Sequence, residues 1–268
     1  GFTVTNASTA EVSVPVEKRW VGPAAAKATV RLLADGEDTG RTVELTESND
    51  WKGSFDGLAK YSESGSVIAY TVAEDPVEGY SSEVTGDAES GFTVTNASTA
   101  EVSVPVEKRW VGPAAAKATV RLLADGKDTG KSLDLSEANC WKGSFDGLAK
   151  YSKSGSEVSY TVAEDAVDGY SSEITGDAAR GFTVTNASTA EVSVPVEKRW
   201  VGPAAAKATV RLLADGKDTG KSLDLSEANC WKGSFDGLAK YSKSGSEVSY
   251  TVAEDAVDGY SSEITGDA

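Results

Sequence analysis

Three polar residues stand where the surrounding pattern calls for apolar ones: Lys18, Glu74 and Asn96. Each falls on the apolar phase of an alternating run: Val12, Val14, Val16, then Lys18; Ile68, Tyr70, Val72, then Glu74; Phe92, Val94, then Asn96. Alternation of period two marks strands with one buried face. A slip of one residue would expose the whole hydrophobic set, so register carries these polar groups inward. An apolar setting disfavours charge, lowering a lysine pKa and raising a glutamate pKa, so a neutral amine beside a protonated acid becomes accessible. With the Asn96 carboxamide in reach, the Lys18 amine can attack its side-chain carbonyl carbon, while protonated Glu74 polarises the oxygen and relays a proton to departing ammonia. One fold holding both groups supplies a high effective molarity. The product is an amide joining the first strand of the unit to its last, formed once and without turnover. The alternative is a buried Lys–Glu ion pair with Asn96 as hydrogen-bond partner, which also relieves the cost of burial.

The elements that must position these groups are strands throughout. Ala28, Val30 and Leu32 alternate with Thr29, Arg31 and Leu33, and Ala34-Asp35-Gly36 marks a hairpin leading to Val43 and Leu45. Trp51 and Phe55 follow, then a loop through Leu58 and Tyr61 to Gly65, the strand bearing Glu74, and a short strand at Ser82–Thr85. Pro15, which lacks an N–H, is expected on an edge strand. Turn residues recur every eight to twelve positions, as in an antiparallel sandwich, and no helix of normal length is expected.

The whole pattern repeats. Residues 91–178 and 181–268 are the same 88-residue string and 1–88 a diverged third copy, a period of 90 residues. That is longer than solenoid repeats and matches an independent small domain. The chemical set recurs as Lys108, Glu164 and Asn186, then as Lys198 and Glu254. If Gly-Phe-Thr-Val-Thr-Asn closes each unit, the domains run 7–96, 97–186 and 187–268. Residues 1–6 are then the orphan closing strand of an upstream repeat, and the third repeat lacks its own. Lys198 is left unpaired: that repeat frays, stays unbridged, or takes Asn6 from another molecule as a donated strand, head to tail. Only Ala97-Ser98-Thr99-Ala100 separates Asn96 from the strand beginning at Glu101, which implies an elongated array.

Composition narrows the function classes. The chain has 268 residues, no Met, no His and a net charge of −16. No apolar run is long enough for a signal peptide or membrane span, and the sequence reads as an excerpt of a larger protein. Acidity argues against nucleic acid or an anionic membrane as partner. Cys140 and Cys230 occupy the position of Asp50 in copies two and three. Equivalent points of adjacent domains are too distant to pair easily, and half-buried packing beside Trp141 and Trp231 is expected, the alternative being an intermolecular bridge or a free thiol. The oxygens of Asp35 to Gly40 lack the spacing of a calcium loop and read as a turn. Trp20 and Trp51 read as core packing rather than a carbohydrate platform, and the triplet Asn6-Ala7-Ser8 as an accidental glycosylation match. No cofactor, metal site or turnover triad is evident, so no enzyme is expected.

A series of seven motifs carries a resemblance. Val-x-Val-x-Lys-x-Trp (Val14 to Trp20), Val-Arg-Leu-Leu-Ala-Asp-Gly, Asn-Asp-Trp, Phe-Asp-Gly-Leu-x-Lys-Tyr, Tyr-Thr-Val-x-Glu, Gly-Tyr and Gly-Phe-Thr-Val-Thr-Asn occur in order. Together they resemble the Cna B-type repeat of Gram-positive surface proteins. The loop Val21-Gly22-Pro23-Ala24-Ala25-Ala26 is shorter and less acidic than in many relatives. The resemblance implies all-β, inverse immunoglobulin-like (prealbumin-like) sandwiches in tandem, on the cell wall, as a stalk or spacer of an adhesin or pilus. It also implies self-made isopeptide bonds: Lys18 with Asn96 and Lys108 with Asn186, assisted by Glu74 and Glu164, with Glu254 the corresponding acid of the third repeat. A host ligand would be met by a tip domain elsewhere. The alternative is that the repeats themselves bind a matrix protein or glycan, gaining avidity from repetition.

Overall fold

A computed structural model describes residues 1–267. The chain divides into two compact units, Gly1–Ser103 with Asp146–Ser159, and Val104–Phe145 with the chain from Tyr160 onward.

In the first unit residues 1–10 form no strand. The first repeat then runs through β1 (Glu11–Val21), β2 (Ala28–Ala34), β3 (Glu37–Leu45), β4 (Lys52–Ala59), β5 (Tyr70–Glu74), β6 (Tyr80–Asp87) and β7 (Gly91–Ser98). These make two sheets, β4-β1-β7-β6 and β3-β2-β5. All ladders are antiparallel except β1 with β7, where the first and last strands of the repeat run parallel. The core lies between the sheets: Val14, Val30, Leu32, Leu45 and Val94 are completely buried. At about 1.5–3 kcal/mol per buried aliphatic side chain, this stripe is the main source of stability.

Local sequence explains the turns. Asp35 (φ 51°) and Gly36 (φ 87°) take the two positive-φ positions of the hairpin between β2 and β3. After β3, Asn49 Oδ1 accepts from the Thr46 N–H at 2.9 Å and its Nδ2 donates to the Glu44 carbonyl at 2.9 Å, pinning a short 3₁₀ turn at Glu47–Asn49. Asp50 and Trp51 follow in the left-handed region. That reversal turns the Trp51 carbonyl back to accept the Lys18 backbone N–H at 2.8 Å.

Two expectations need correction. Pro15 lies not on an edge but on β1, an interior strand paired with β4 and β7. The parallel ladder begins only at Val16 opposite Phe92, so the proline precedes the stretch where an N–H would be required on that side. The short strand expected at Ser82–Thr85 is longer, Tyr80–Asp87, and forms the exposed edge of the four-stranded sheet.

The second repeat reproduces the pattern with β8 (Glu101–Val111), β9 (Ala118–Ala124), β10 (Lys127–Leu135), β11 (Lys142–Ala149), β12 (Tyr160–Glu164), β13 (Tyr170–Asp177) and β14 (Gly181–Ser188). Its sheets are β11-β8-β14-β13 and β10-β9-β12. The third has β15 (Glu191–Glu197), β16 (Ala208–Ala214), β17 (Lys217–Leu225), β18 (Lys232–Ala239) and β19 (Tyr250–Glu254). Its sheets are β17-β16-β19 and the two-stranded β15-β18.

Candidate functional site

Lys18 on β1 and Asn96 on β7 come from one sheet and Glu74 on β5 from the facing sheet; the lysine and glutamate side chains meet between the layers, and Asn96 is buried on the strand beside Lys18. Lys18 is 3% exposed and Asn96 0%. The Lys18 Nζ lies 3.4 Å from Glu74 Oε1, with both side chains out of water. It donates to the backbone carbonyls of Arg19 and Val94, each at 3.2 Å, and stands 4.1 Å from the Trp20 ring centroid. Burial pushes the Lys18 amine down from 10.5 to about 8, against the raising influence of the Glu74 charge.

The other side of the site is unsatisfied. The Glu74 carboxylate has the Lys18 ion pair but no hydrogen bond of good geometry, and both polar atoms of the Asn96 carboxamide are buried without a hydrogen bond among the described residues. Such groups are rare in folded proteins, and each costs about 1–3 kcal/mol. The second repeat repeats this geometry. Lys108 Nζ is 3.5 Å from Glu164 Oε1 and donates to the Arg109 and Val184 carbonyls at 3.1 and 3.3 Å. Its amine is again lowered by burial, the polar atoms of Asn186 again lack partners, and Glu164 has only the Lys108 ion pair.

The third repeat differs where its parallel partner strand is missing among the described residues. β15 ends at Glu197, four residues short of the point that β1 reaches. A cleft of about 430 Å³, lined in part by Val196, Lys198, Val210, Val252 and Glu254, opens there. Lys198 and Glu254 close to 2.7 Å in a partly exposed ion pair, and Ser262 donates to Glu254 at 2.5 Å. Burial opposes it, but the Lys198 and Ser262 hydrogen bonds and the Lys198 charge hold the Glu254 carboxyl below its usual range. Asn6 lies in the exposed, strandless segment 1–10.

An aromatic wall bounds each site. Trp20 meets Trp51 edge-on at 5.3 Å and Tyr80 at 5.0 Å, while the Tyr80 hydroxyl donates to the Pro23 carbonyl at 2.5 Å. Sequence reasoning placed both tryptophans in packing but gave Tyr80 no role. The signal was present, since Trp20 shares the Lys18 face two residues on. Cys140 and Cys230 are exposed rather than half-buried. They sit at the left-handed end of the 3₁₀ turn.

A family model described as the Cna protein B-type domain matches residues 14–97, 104–187 and 194–268. The collagen adhesin of Staphylococcus aureus is 37% identical over 285 residues, an alignment covering 98% of this chain and 23% of that protein. The chain thus spans about a quarter of that relative's length. A solved structure of two B repeat units (B1B2) of the collagen binding protein (Cna) of Staphylococcus aureus is 34% identical, with a TM-score of 0.42, covering 95% of this chain and 72% of that one. A single B repeat unit (B1) of the same protein is 34% identical, with a TM-score of 0.32, covering 68% of this chain and 100% of that one.

Proposed function

The chain belongs to the Cna protein B-type domain family, and on that premise we propose that it is a stalk segment of a bacterial cell-surface adhesin or pilus-like protein, its repeats sealed by Lys–Asn isopeptide bonds. The supporting observation is the buried, unpartnered Asn96 carboxamide on the strand beside Lys18, whose amine has its proton loosened by burial and faces the Glu74 carboxylate. A plain ion pair leaves the carboxamide unsatisfied at every atom. Condensation removes its NH₂ group and gives the remaining carbonyl and the new N–H a common partner in the Glu74 carboxyl.

The step balances without any added reagent. The neutral Lys18 amine attacks Asn96 Cγ, the Glu74 acid hydrogen-bonds the developing oxyanion, and the carboxyl then carries the amine proton to the departing NH₂. One C–N bond forms, one breaks, and ammonia leaves. Glu74 ends as it began, but each repeat reacts once, so the chain is not a turnover enzyme. The same roles fall to Lys108, Glu164 and Asn186.

Sealing the first strand to the last suits a spacer, because load entering at β1 and leaving at β7 passes through the bond instead of the sandwich. Ligand contact then belongs to another part of the longer protein. Intact mass under denaturing conditions tests the reading. Two ammonia equivalents below the calculated value are expected, and the unreduced calculated mass would overturn it.

A further inference from the structure

Gly22, one residue past the end of β1, has φ +103°, and a side chain there has no room. A Cβ would stand 3.0 Å from the Ser98 Cβ and 3.2 Å from the ring of Tyr151. Tyr151 belongs to the turn after β11, and both partners lie within the first compact unit. Gly155 of the same turn approaches backbone to backbone: a Cβ on it would stand 3.2 Å from the Gly22 nitrogen. The second unit contains the same contact again. There Gly112 meets the Ser188 Cβ at 3.0 Å and the Tyr241 ring at 3.2 Å, and Gly245 meets the Gly112 nitrogen at 3.2 Å.

We propose that the turn Tyr151–Ser156 is a preformed plug and Gly22 with Ser98 its socket, the surface by which one repeat seats on the repeat before it, and that sealing β1 to β7 holds that socket in shape. The second clause rests on the isopeptide reading. The plug is preformed because its free copy has the same build. In the first repeat Ser62 N donates to Ser66 O at 2.8 Å and Gly65 N to Ser62 O at 2.9 Å, as Ser152 N to Ser156 O and Gly155 N to Ser152 O do at the same distances. Yet nothing packs within 4 Å of a Cβ placed on Gly65, and Tyr61 is 36% exposed. A part that is already ordered gives up little freedom on docking. A tyrosine supplies it with an apolar ring and a wet hydroxyl.

The socket, in contrast, is built on the two paired strands. Gly22 lies four residues beyond Lys18 and Ser98 two beyond Asn96, on the strands the amide would join. In the third repeat, where β15 has no parallel partner among the described residues, the segment after Glu197 is not strand. Val201 is 99% exposed there, and nothing packs within 4 Å of Gly202.

Cys140 and Cys230 are the chain's two cysteines, both exposed and both within the second unit, so spin labels on them read the Gly112 joint directly by electron–electron distance measurement. The parent should give one narrow distance peak. Tyr241→Ala should broaden it, whereas Tyr151→Ala, the same change at the other joint, should leave it narrow and thereby exclude general damage. A peak that stays narrow in Tyr241→Ala overturns the joint. Asn186→Ala should also broaden the peak. If it does not, and intact mass shows that the parent has the bond which this variant lacks, the coupling to the seal is overturned. A parent mass without the bond overturns the isopeptide reading alone, since the tyrosine variants still decide the joint.

Discussion

Lys18 stands opposite Val94 and Asn96 opposite Trp20, so the lysine and the asparagine are diagonal neighbours on one face of two parallel strands. An offset of two residues, about 7–8 Å between diagonal partners, is within reach of a lysine side chain.

Removing the amide acceptor is the cleanest test of the seal. Asn96→Ala should restore one ammonia equivalent of mass and lower the first repeat's thermal midpoint, leaving the second repeat's bond intact. The bond closes a loop of roughly 80 residues, and the chain-entropy estimate used for cross-links sets the loss at about 4.5 kcal/mol. Calorimetry on the variant reads it.

Glu74→Gln keeps the shape of the acid but cannot exchange a proton as a carboxyl does. The repeat should fold, shown by unchanged circular dichroism, with the Lys18–Asn96 bond unmade by mass. A full loss of two ammonia equivalents in this variant would remove Glu74 from the chemistry.

In the unsealed Asn96→Ala repeat the free amine should make stability pH-dependent. Folded Lys18 releases its proton near 8 and the unfolded chain near 10.5. Between those values the unfolded state binds more protons, so stability rises with pH across the window. Below about 8 both states are protonated and the repeat carries the full burden of an ammonium in an apolar layer. The sealed parent has no such amine, so the difference in urea midpoint between parent and variant should shrink from pH 8 to 10.5.

Leu32 is completely buried at the centre of the β3-β2-β5 sheet. Leu32→Ala should cost about 2–5 kcal/mol in the first repeat. Urea unfolding in the Asn96→Ala background measures it free of the cross-link.

Both cysteines should label with a maleimide in the folded protein as readily as in urea, because Cys140 and Cys230 are exposed. A thiol protected until unfolding would contradict their placement.

Much of this was legible from period alone. Alternation put Lys18, Glu74 and Asn96 inward, and the Asp35-Gly36 dipeptide placed its hairpin. Alternation could not say which strands are neighbours. Pro15 was therefore misread, because its tolerance depends on the β1–β7 ladder starting one residue later, at Val16. The cysteines were misread for a similar reason: Asn49 imposes two successive left-handed residues, and that reversal breaks the inward–outward count. The Tyr151–Gly22 contact has no periodic signature, since its partners are 129 positions apart, from 22 to 151.

Pairing β1 with β7 has a cost in time. The Lys18 amine and the Val94 carbonyl that accepts from it are separated by 76 residues, and sheets built from such distant partners form slowly. A chain that emerges amino end first must wait for nearly a whole repeat before its opening strand has a neighbour on that side. Until then the lower half of every new repeat resembles the third one here, a groove flanked by valines, with an identical closing segment from the previous repeat nearby. The order in which segments emerge, as much as their final energies, then decides which copy fills which groove.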